Sequence, residues 1–224
     1  MNGQDIVFSQ FEQVASYYNP AYAGFERSFG GGVTIRNQWG NTNGSYLHSY
    51  VFGDMFFDQY KSGAGIDLSY SSANSGGNNI LTLGGRYNYH LTLNKKWTSS
   101  VGVSASYASV KMNSNNLTFE DQLNPNGSST NTNENIAGIE NRGYLDLGLG
   151  TVFYVKETTE LSLGLKHINF PSVRSLNDEK TVIKPMVTVF MKHRIKVGGS
   201  FYRPNTKKVF VLPSLLLLKQ AQYN

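Results

Sequence analysis

The segment ILTLGGRYNYHL, residues 80–91, alternates between two kinds of side chain from Leu81 onward. One set is mainly apolar or aromatic and comprises Leu81, Leu83, Gly85, Tyr87, Tyr89 and Leu91. The other set is polar or small and comprises Thr82, Gly84, Arg86, Asn88 and His90. Because successive side chains of a β-strand point to opposite faces, this pattern predicts a strand with one apolar and one polar face.

Three further segments repeat this alternation, at residues 97–110, 143–155 and 161–170. Their polar faces consist largely of Gly, Ser and Thr, with an occasional charged residue. A soluble sandwich would present long charged side chains to water, whereas small polar residues suit the crowded or water-filled interior of a barrel. Strands of about ten residues also match the length that crosses a bilayer at a tilt. The pattern favours an antiparallel transmembrane β-barrel.

The composition agrees with this interpretation without deciding it. Of the 224 residues, 16% are charged and 13% aromatic, and the mean hydropathy is −0.34. The longest apolar run, residues 209–218, is shorter than the roughly 20 residues of a spanning helix. Taken alone, these values leave a soluble all-β sandwich and a transmembrane barrel equally open. A net charge of +5 with scattered basic residues argues against a nucleic-acid partner.

The alternation and the turn residues predict about ten strands. They are expected near residues 28–39, 45–57, 63–73, 80–91, 97–111, 142–155, 159–170, 182–191, 194–202 and 208–219. Short connections are expected at 58–62, 92–96, 156–158 and the Lys-His-Arg junction 192–194. A long polar connection is expected at 113–141. Outer-membrane barrels alternate short periplasmic turns with longer external loops, so the N-terminus is expected on the periplasmic side.

The motifs of enzymes and cofactor sites are absent from the sequence. The four histidines, His48, His90, His167 and His193, have no partner at metal-ligand spacing. The glycines at 30–32 lack the lysine of a phosphate-binding loop. Neither a nucleophile elbow nor a recognisable Ser/His/Asp arrangement is present. We therefore expect no catalytic, metal or cofactor residues, and we expect His90 and His167 to be lumen or rim residues of the barrel.

The N-terminal segment QDIVFSQFEQVASYYNPAYAG, residues 4–24, resembles the start of the PorP/SprF family of Bacteroidetes outer-membrane proteins. Further similarities follow in the family's order at residues 36–39, 87–97, 117–127 and 167–176. Glu120 departs from the glycine usual in the third of these stretches. The family-motif residues are Asn19, Pro20, Ala21, Tyr22, Gly24, Arg36, Asn37, Gln38, Trp39, Phe119, Asp121 and Gln122.

This resemblance implies a component of the type IX secretion system in the cell outer membrane, linked to gliding motility. It implies that the barrel receives or anchors a secreted surface protein, such as an adhesin, through the cargo's C-terminal sorting domain. The implied partners are this cargo, other type IX secretion components and outer-membrane lipid. The external loops 112–141 and 171–181 are the candidate contact surfaces.

The resemblance also implies a domain division. Residues 1–27 would be an N-terminal periplasmic segment that acts as a plug or lid, and residues 28–224 would form the barrel. The family's barrel has about fourteen strands, so the chain is expected to be truncated at its C-terminus; the alternative is a barrel that closes with fewer strands. Two other functions remain as alternatives to the secretion role. One is a solute porin lined by Arg86, His90, Asp146 and Lys166, and the other is a barrel-borne enzyme such as a lipase.

Overall fold

The computed structural model describes most of the chain. It covers residues 8, 11–40, 45–73, 77–112, 123–124, 127–128, 142–155, 158–174, 180–197, 208–211 and 215–220. For residues 112, 123–124, 127–128, 174, 180–181, 194–197, 208–211 and 215–220 only the backbone is described.

The described segments are mainly β-strands. They run β1 Gly30–Gln38, β2 Tyr46–Phe57, β3 Ser62–Ala73, β4 Asn78–Thr92, β5 Trp97–Met112, β6 Leu123–Asn124, β7 Gly127–Ser128, β8 Arg142–Val155, β9 Thr159–Lys166, β10 Ser172–Arg174, β11 Lys180–Val182, β12 Met186–Val197, β13 Lys208–Val211 and β14 Leu215–Gln220. A one-turn helix, α1 at Ala15–Tyr18, lies between 3₁₀ turns at Phe11–Val14 and Pro20–Tyr22, and a further 3₁₀ turn spans Asp58–Tyr60.

Ten of these strands form one antiparallel sheet that curls into a half-barrel. Its order is β1-β2-β3-β4-β5-β8-β9-β12, and β13 and β14 both pair with β12. Two short hairpins, β6–β7 and β10–β11, lie in the connections that precede β8 and β12. The expected all-β, antiparallel barrel-type fold is confirmed.

The two faces of the sheet have the polarity predicted from residues 80–91. On the convex face, Leu83 and Tyr87 are 62% and 49% exposed. On the concave face, Arg86 and Asn88 are buried, at 6% and 0% exposed. A soluble protein buries its apolar face, so this inverted arrangement suits a sheet whose outer face meets lipid.

A buried apolar cluster lies on the concave side, where the N-terminal segment packs against the sheet. Phe8, Val14 and Tyr18 contribute from the segment, Tyr50 from β2 and Met186 from β12. The segment therefore reaches strands near both ends of the described sheet. None of the helices in the described part of the chain has the length and apolarity that a membrane-spanning helix requires.

One predicted turn is wrong. The junction at 192–194 is not a turn, because β12 runs through it without interruption. Lys192 and His193 continue the ladder of β12 opposite Glu160 and Thr159 of β9. Lys-His-Arg contains none of the Gly, Pro, Asn or Asp residues that favour a tight turn. The predicted strands 182–191 and 194–202 are therefore one strand in the described residues, which begins directly after Pro185.

Candidate functional site

The motif Asn19–Gly24 folds into a compact turn stabilised by its own side chains and backbone. The Asn19 side chain accepts a hydrogen bond from the Ala21 N–H at 2.9 Å, which caps the 3₁₀ turn that Pro20 begins. Gly24 has φ +61°, and a Cβ at this position would lie 2.7 Å from the carbonyl oxygen of Met55. Only glycine satisfies both the left-handed backbone and this close approach.

Five residues on neighbouring strands form a row across the concave face under this motif. The row contains Gly63 of β3, Asn88 of β4, Gly102 of β5, Gly150 of β8 and Gly164 of β9. Each residue is the direct cross-strand partner of the next, so all five point to the same face of the sheet. We call these five residues the central row.

The four glycines of the central row let the N-terminal segment lie directly on the strand backbones. A Cβ at Gly102 would lie 2.5 Å from the Ala21 nitrogen and 2.6 Å from the Pro20 carbonyl carbon. The same clash would occur between Gly63 and Ala23 O, between Gly150 and Asn19 Oδ1, and between Gly164 and Tyr18 O. Any side chain at these positions would push the segment away from the sheet.

Asn88, the only member of the central row with a side chain, binds the segment through hydrogen bonds. Its Nδ2 donates to the carbonyl oxygens of Ala21 and Ala23, both at 2.7 Å. Its Oδ1 accepts from the Gly63 N–H at 2.7 Å, which fixes the orientation of the amide. Ser100 Oγ donates a second bond to Ala21 O at 2.9 Å. All the polar atoms of this buried amide thus have partners.

Asn19 makes the reciprocal contact from the segment to the sheet. It is 1% exposed, and its Nδ2 donates to the carbonyl oxygens of Thr151 and Leu163, both at 3.1 Å. At the other end of the motif, the Gly24 N–H donates to Asp54 Oδ1 at 3.0 Å. The motif is therefore hydrogen-bonded to the sheet at both ends and in the middle.

Aromatic contacts hold the residues that precede the motif. Phe8, Tyr17 and Tyr18 pack edge to face with centroid separations of 5.1–6.2 Å. Tyr17 also contacts Tyr50 at 5.2 Å, and Lys166 Nζ lies 4.0 Å from the centroid of the Tyr17 ring. Such pairs add to the apolar burial and give the segment a preferred orientation.

The opposite side of the segment borders an open recess of about 620 Å³. Two polar contacts cross its edge: Tyr22 OH donates to Glu160 Oε1 at 2.5 Å, and Lys192 Nζ lies 3.2 Å from Glu12 Oε2. Burial, together with the neighbouring Glu160 carboxylate, raises the pKa of the Tyr22 phenol. The phenol therefore keeps its proton, and continues to donate, above pH 10.0, where an ordinary tyrosine loses it.

A second polar region lies further along the concave face. It contains Asp67, Arg86, Asp146, Lys166 and His167, which we call the charged cluster, around a cavity of about 90 Å³. Arg86 Nη2 donates to Asp67 Oδ1 and, at 2.9 Å, to Tyr50 OH. His167 Nδ1 lies 2.9 Å from Asp146 Oδ1. This region is held by contacts between side chains, whereas the central row mainly contacts backbone atoms of the N-terminal segment.

Both histidines expected in the lumen or at its rim, His90 and His167, lie on the concave face and are buried. His90 is 3% exposed and His167 is 5% exposed. His90 Nδ1 lies 3.3 Å from Tyr154 OH. Within the described residues no group of three or more His, Cys, Asp or Glu could hold a metal ion.

The structure brings only part of the predicted family motif together. Asn19, Pro20, Ala21, Tyr22 and Gly24 all lie in the turn over the central row or at its edge. Arg36, Asn37 and Gln38 lie at the far end of β1, followed by Trp39, which has φ +53° and is 69% exposed. Phe119, Asp121 and Gln122 lie outside the described residues.

Sequence reasoning missed the central row as a site. The alternation placed Asn88, Gly102, Gly150 and Gly164 on the polar faces of their strands, where they were interpreted as interior residues of a barrel. An available signal was the recurrence of glycine on that face in three strands, because a strand glycine often marks the close approach of another backbone.

No curated protein and no solved structure matches this chain. A family model described as "Type IX secretion system membrane protein PorP/SprF" matches residues 1–224. The match covers the whole chain, including the segment over the central row and all ten strands of the half-barrel. The chain belongs to the PorP/SprF family of type IX secretion system membrane proteins.

Proposed function

We propose that this protein is an outer-membrane component of the type IX secretion system that receives or anchors a secreted surface protein. The cargo would be held through its C-terminal sorting domain, and in a gliding bacterium it would be an adhesin used for motility. The observation that carries the proposal is the family match over residues 1–224. The apolar convex face supports it, because a membrane anchor needs a lipid-facing surface.

Within this proposal the N-terminal residues 1–27 are a periplasmic plug and residues 28–224 are the barrel. The contacts of Asn19 and Ala21 with β4, β5, β8 and β9 support the plug, since they hold the segment across the concave face. The same contacts weigh against a solute porin, whose lumen must stay open for conduction. The loops 112–141 and 171–181 would contact the cargo on the external side.

The first experiment is purification of the tagged protein from outer membranes after mild cross-linking, with bound proteins identified by mass spectrometry. We expect other secretion components and a secreted protein that ends in a sorting domain. The matched control is the same strain with that sorting domain deleted from the cargo, in which the cross-link should disappear. Retention of the cargo without its sorting domain would contradict the proposed mode of anchoring.

Two further measurements test the location and the plug. Density separation of membranes should place the protein with outer-membrane markers, and recovery with the inner membrane would contradict the proposal. In planar bilayers the intact protein should be silent. Steady ion conductance by the intact protein would instead favour the porin.

A further inference from the structure

The contacts under the N-terminal motif amount to a recognition site with defined requirements. At position 19 the site needs a side chain that both donates and accepts, because Asn19 bonds Thr151 O, Leu163 O and the Ala21 N–H. At positions 21 and 23 it needs small side chains, since Ala21 and Ala23 are both 0% exposed. Each requirement concerns a side chain of the segment, so the site selects a sequence.

The remaining hydrogen bonds of this site go to the backbone of the segment. Asn88 and Ser100 bond the carbonyl of Ala21, Asn88 also bonds that of Ala23, and Asp54 bonds the Gly24 N–H. In many complexes, main-chain hydrogen bonds give a bound peptide its affinity and pockets for its side chains give specificity. The groove over the central row provides both kinds of contact to the 3₁₀ turn. The groove therefore has the features of a peptide-binding site that is occupied by a segment of its own chain.

Residues 26–29, which link the motif to β1, make few contacts with the sheet. Glu26, Arg27, Ser28 and Phe29 are all exposed, and Arg27 has φ +55° in the turn that leads to β1. Arg27 contacts the ring of Phe56 at 5.5 Å. The interactions that hold the motif are thus concentrated at the central row, outside the covalent link.

We propose that the central row and its neighbours form a sequence-selective peptide-binding site for Asn-Pro-Ala-x-Ala-Gly. The site binds this motif as a ligand, whether the motif is joined to the same chain or supplied in trans. The natural occupant is residues 19–24 of this chain. This site goes beyond the secretion role, because the contacts that form it lie within the chain and do not involve a cargo.

The experiment cuts the link after folding and follows exchange. A protease site is placed in the exposed turn at 26–28 of the full chain, and the protein is purified intact in detergent and then cleaved. We expect the N-terminal fragment to remain bound and to exchange with a fluorescent synthetic peptide of residues 11–24. Binding is followed by fluorescence anisotropy, and the uncut protein should take up the peptide far more slowly.

Two variant peptides make the test specific. The Asn19→Ala peptide loses three hydrogen bonds and should bind about a hundredfold more weakly. The Gln13→Ala peptide changes an exposed side chain of the same segment and should bind like the wild type. Immediate loss of the fragment with no peptide uptake, or equal binding of the Asn19→Ala and wild-type peptides, would overturn the inference.

A variant of the sheet provides a second, independent comparison. The cut Asn88→Ala protein should bind the wild-type peptide at least about tenfold more weakly, since two donors to its backbone are lost. If this variant does not fold, the comparison of the wild-type and Asn19→Ala peptides on the unsubstituted sheet still tests the proposal. Failure of cargo capture would leave these results unchanged, so the two proposals are tested separately.

Discussion

Two side chains on β4, Arg86 and Asn88, are separated by one residue and point to the same face, yet they belong to different kinds of region. Asn88 of the central row bonds the backbone of the N-terminal segment and of β3. Arg86 of the charged cluster bonds the side chains of Asp67 and Tyr50. Backbone partners are fixed in place, whereas side-chain partners can change rotamer or contact water. Substitutions should therefore reduce the free energy of unfolding more in the central row than in the charged cluster.

The largest effect is expected for Gly102→Val. The new side chain meets backbone atoms of Pro20 and Ala21, which cannot move without displacing the segment. Overpacking of this kind should reduce the free energy of unfolding by about 3 kcal/mol. Urea unfolding in lipid vesicles measures the change, and proteolysis should become faster at residues 11–24.

Gly85→Val is the matched control for this substitution. Gly85 lies directly opposite Ala105 of β5, and a Cβ at Gly85 would meet no atom within 4 Å. Its stability should stay within about 0.5 kcal/mol of the parent protein. Equal losses for the two variants would show that valine is harmful throughout the sheet and that the contact with the segment is not special.

Asn88→Ala is expected to have the next largest effect. It leaves the carbonyl oxygens of Ala21 and Ala23 and the Gly63 N–H without this partner in a buried site. Ala21 O keeps its bond from Ser100, so we expect a loss of about 2 kcal/mol rather than the full sum. The comparison is Asn79→Ala on the same strand, which removes an exposed bond from Tyr70 OH and should change stability little.

The pair Arg86 and Asp67 tests the charged cluster, the second of the two regions compared. Arg86→Met removes both the ion pair with Asp67 and the hydrogen bond to Tyr50 OH. It should cost about 1.5 kcal/mol, less than the loss for a fully buried pair, because Asp67 is 19% exposed and water can replace part of the contact. Adding Asp67→Asn should restore part of the loss, since the carboxylate left without its cation is then neutral. A double-mutant cycle with no coupling between the two positions would contradict the assigned ion pair.

The sequence predicted the parts of the fold that depend on one strand at a time. Alternation over residues 80–91 identified both the strand β4 and its two faces, because side-chain direction follows from strand geometry alone. The central row depends instead on cross-strand register, which places residues 63, 88, 102, 150 and 164 side by side. Register is set by the turns and by packing across several strands, so it cannot be predicted from the sequence of a single segment.

The motif Asn19–Gly24 shows the same difference between what one segment predicts and what depends on distant strands. Pro20 fixes φ and Gly24 permits a left-handed backbone, so the residue types at Asn19–Gly24 suit a tight turn, and the structure contains that turn. Its partners could not be predicted, because Thr151 and Leu163 contribute only carbonyl oxygens, which every residue has. The wrong turn at 192–194 has a related cause: the β9 partners that keep β12 extended are distant in the sequence.

The smallest effect is expected for Tyr22→Phe, at the edge of the motif. The ring is kept, and the hydrogen bonds that the phenol makes with Glu160 and Ser162 are lost, which should cost about 1 kcal/mol near neutral pH. The pH dependence is the sharper test. Because the folded protein raises the pKa of Tyr22, its phenol keeps the proton above pH 10.0, the ordinary value at which the unfolded chain releases it.

The unfolded state then binds fewer protons than the folded state, so this tyrosine makes stability fall as pH rises above that value. Below it, the contribution of the Tyr22 bond is fully present. Urea unfolding of the parent and of Tyr22→Phe between pH 7 and pH 11 should therefore give curves whose separation shrinks on the alkaline side. A separation that stays constant to pH 11 would mean that the Tyr22 phenol titrates alike in both states, and that its burial against Glu160 is not maintained in the membrane.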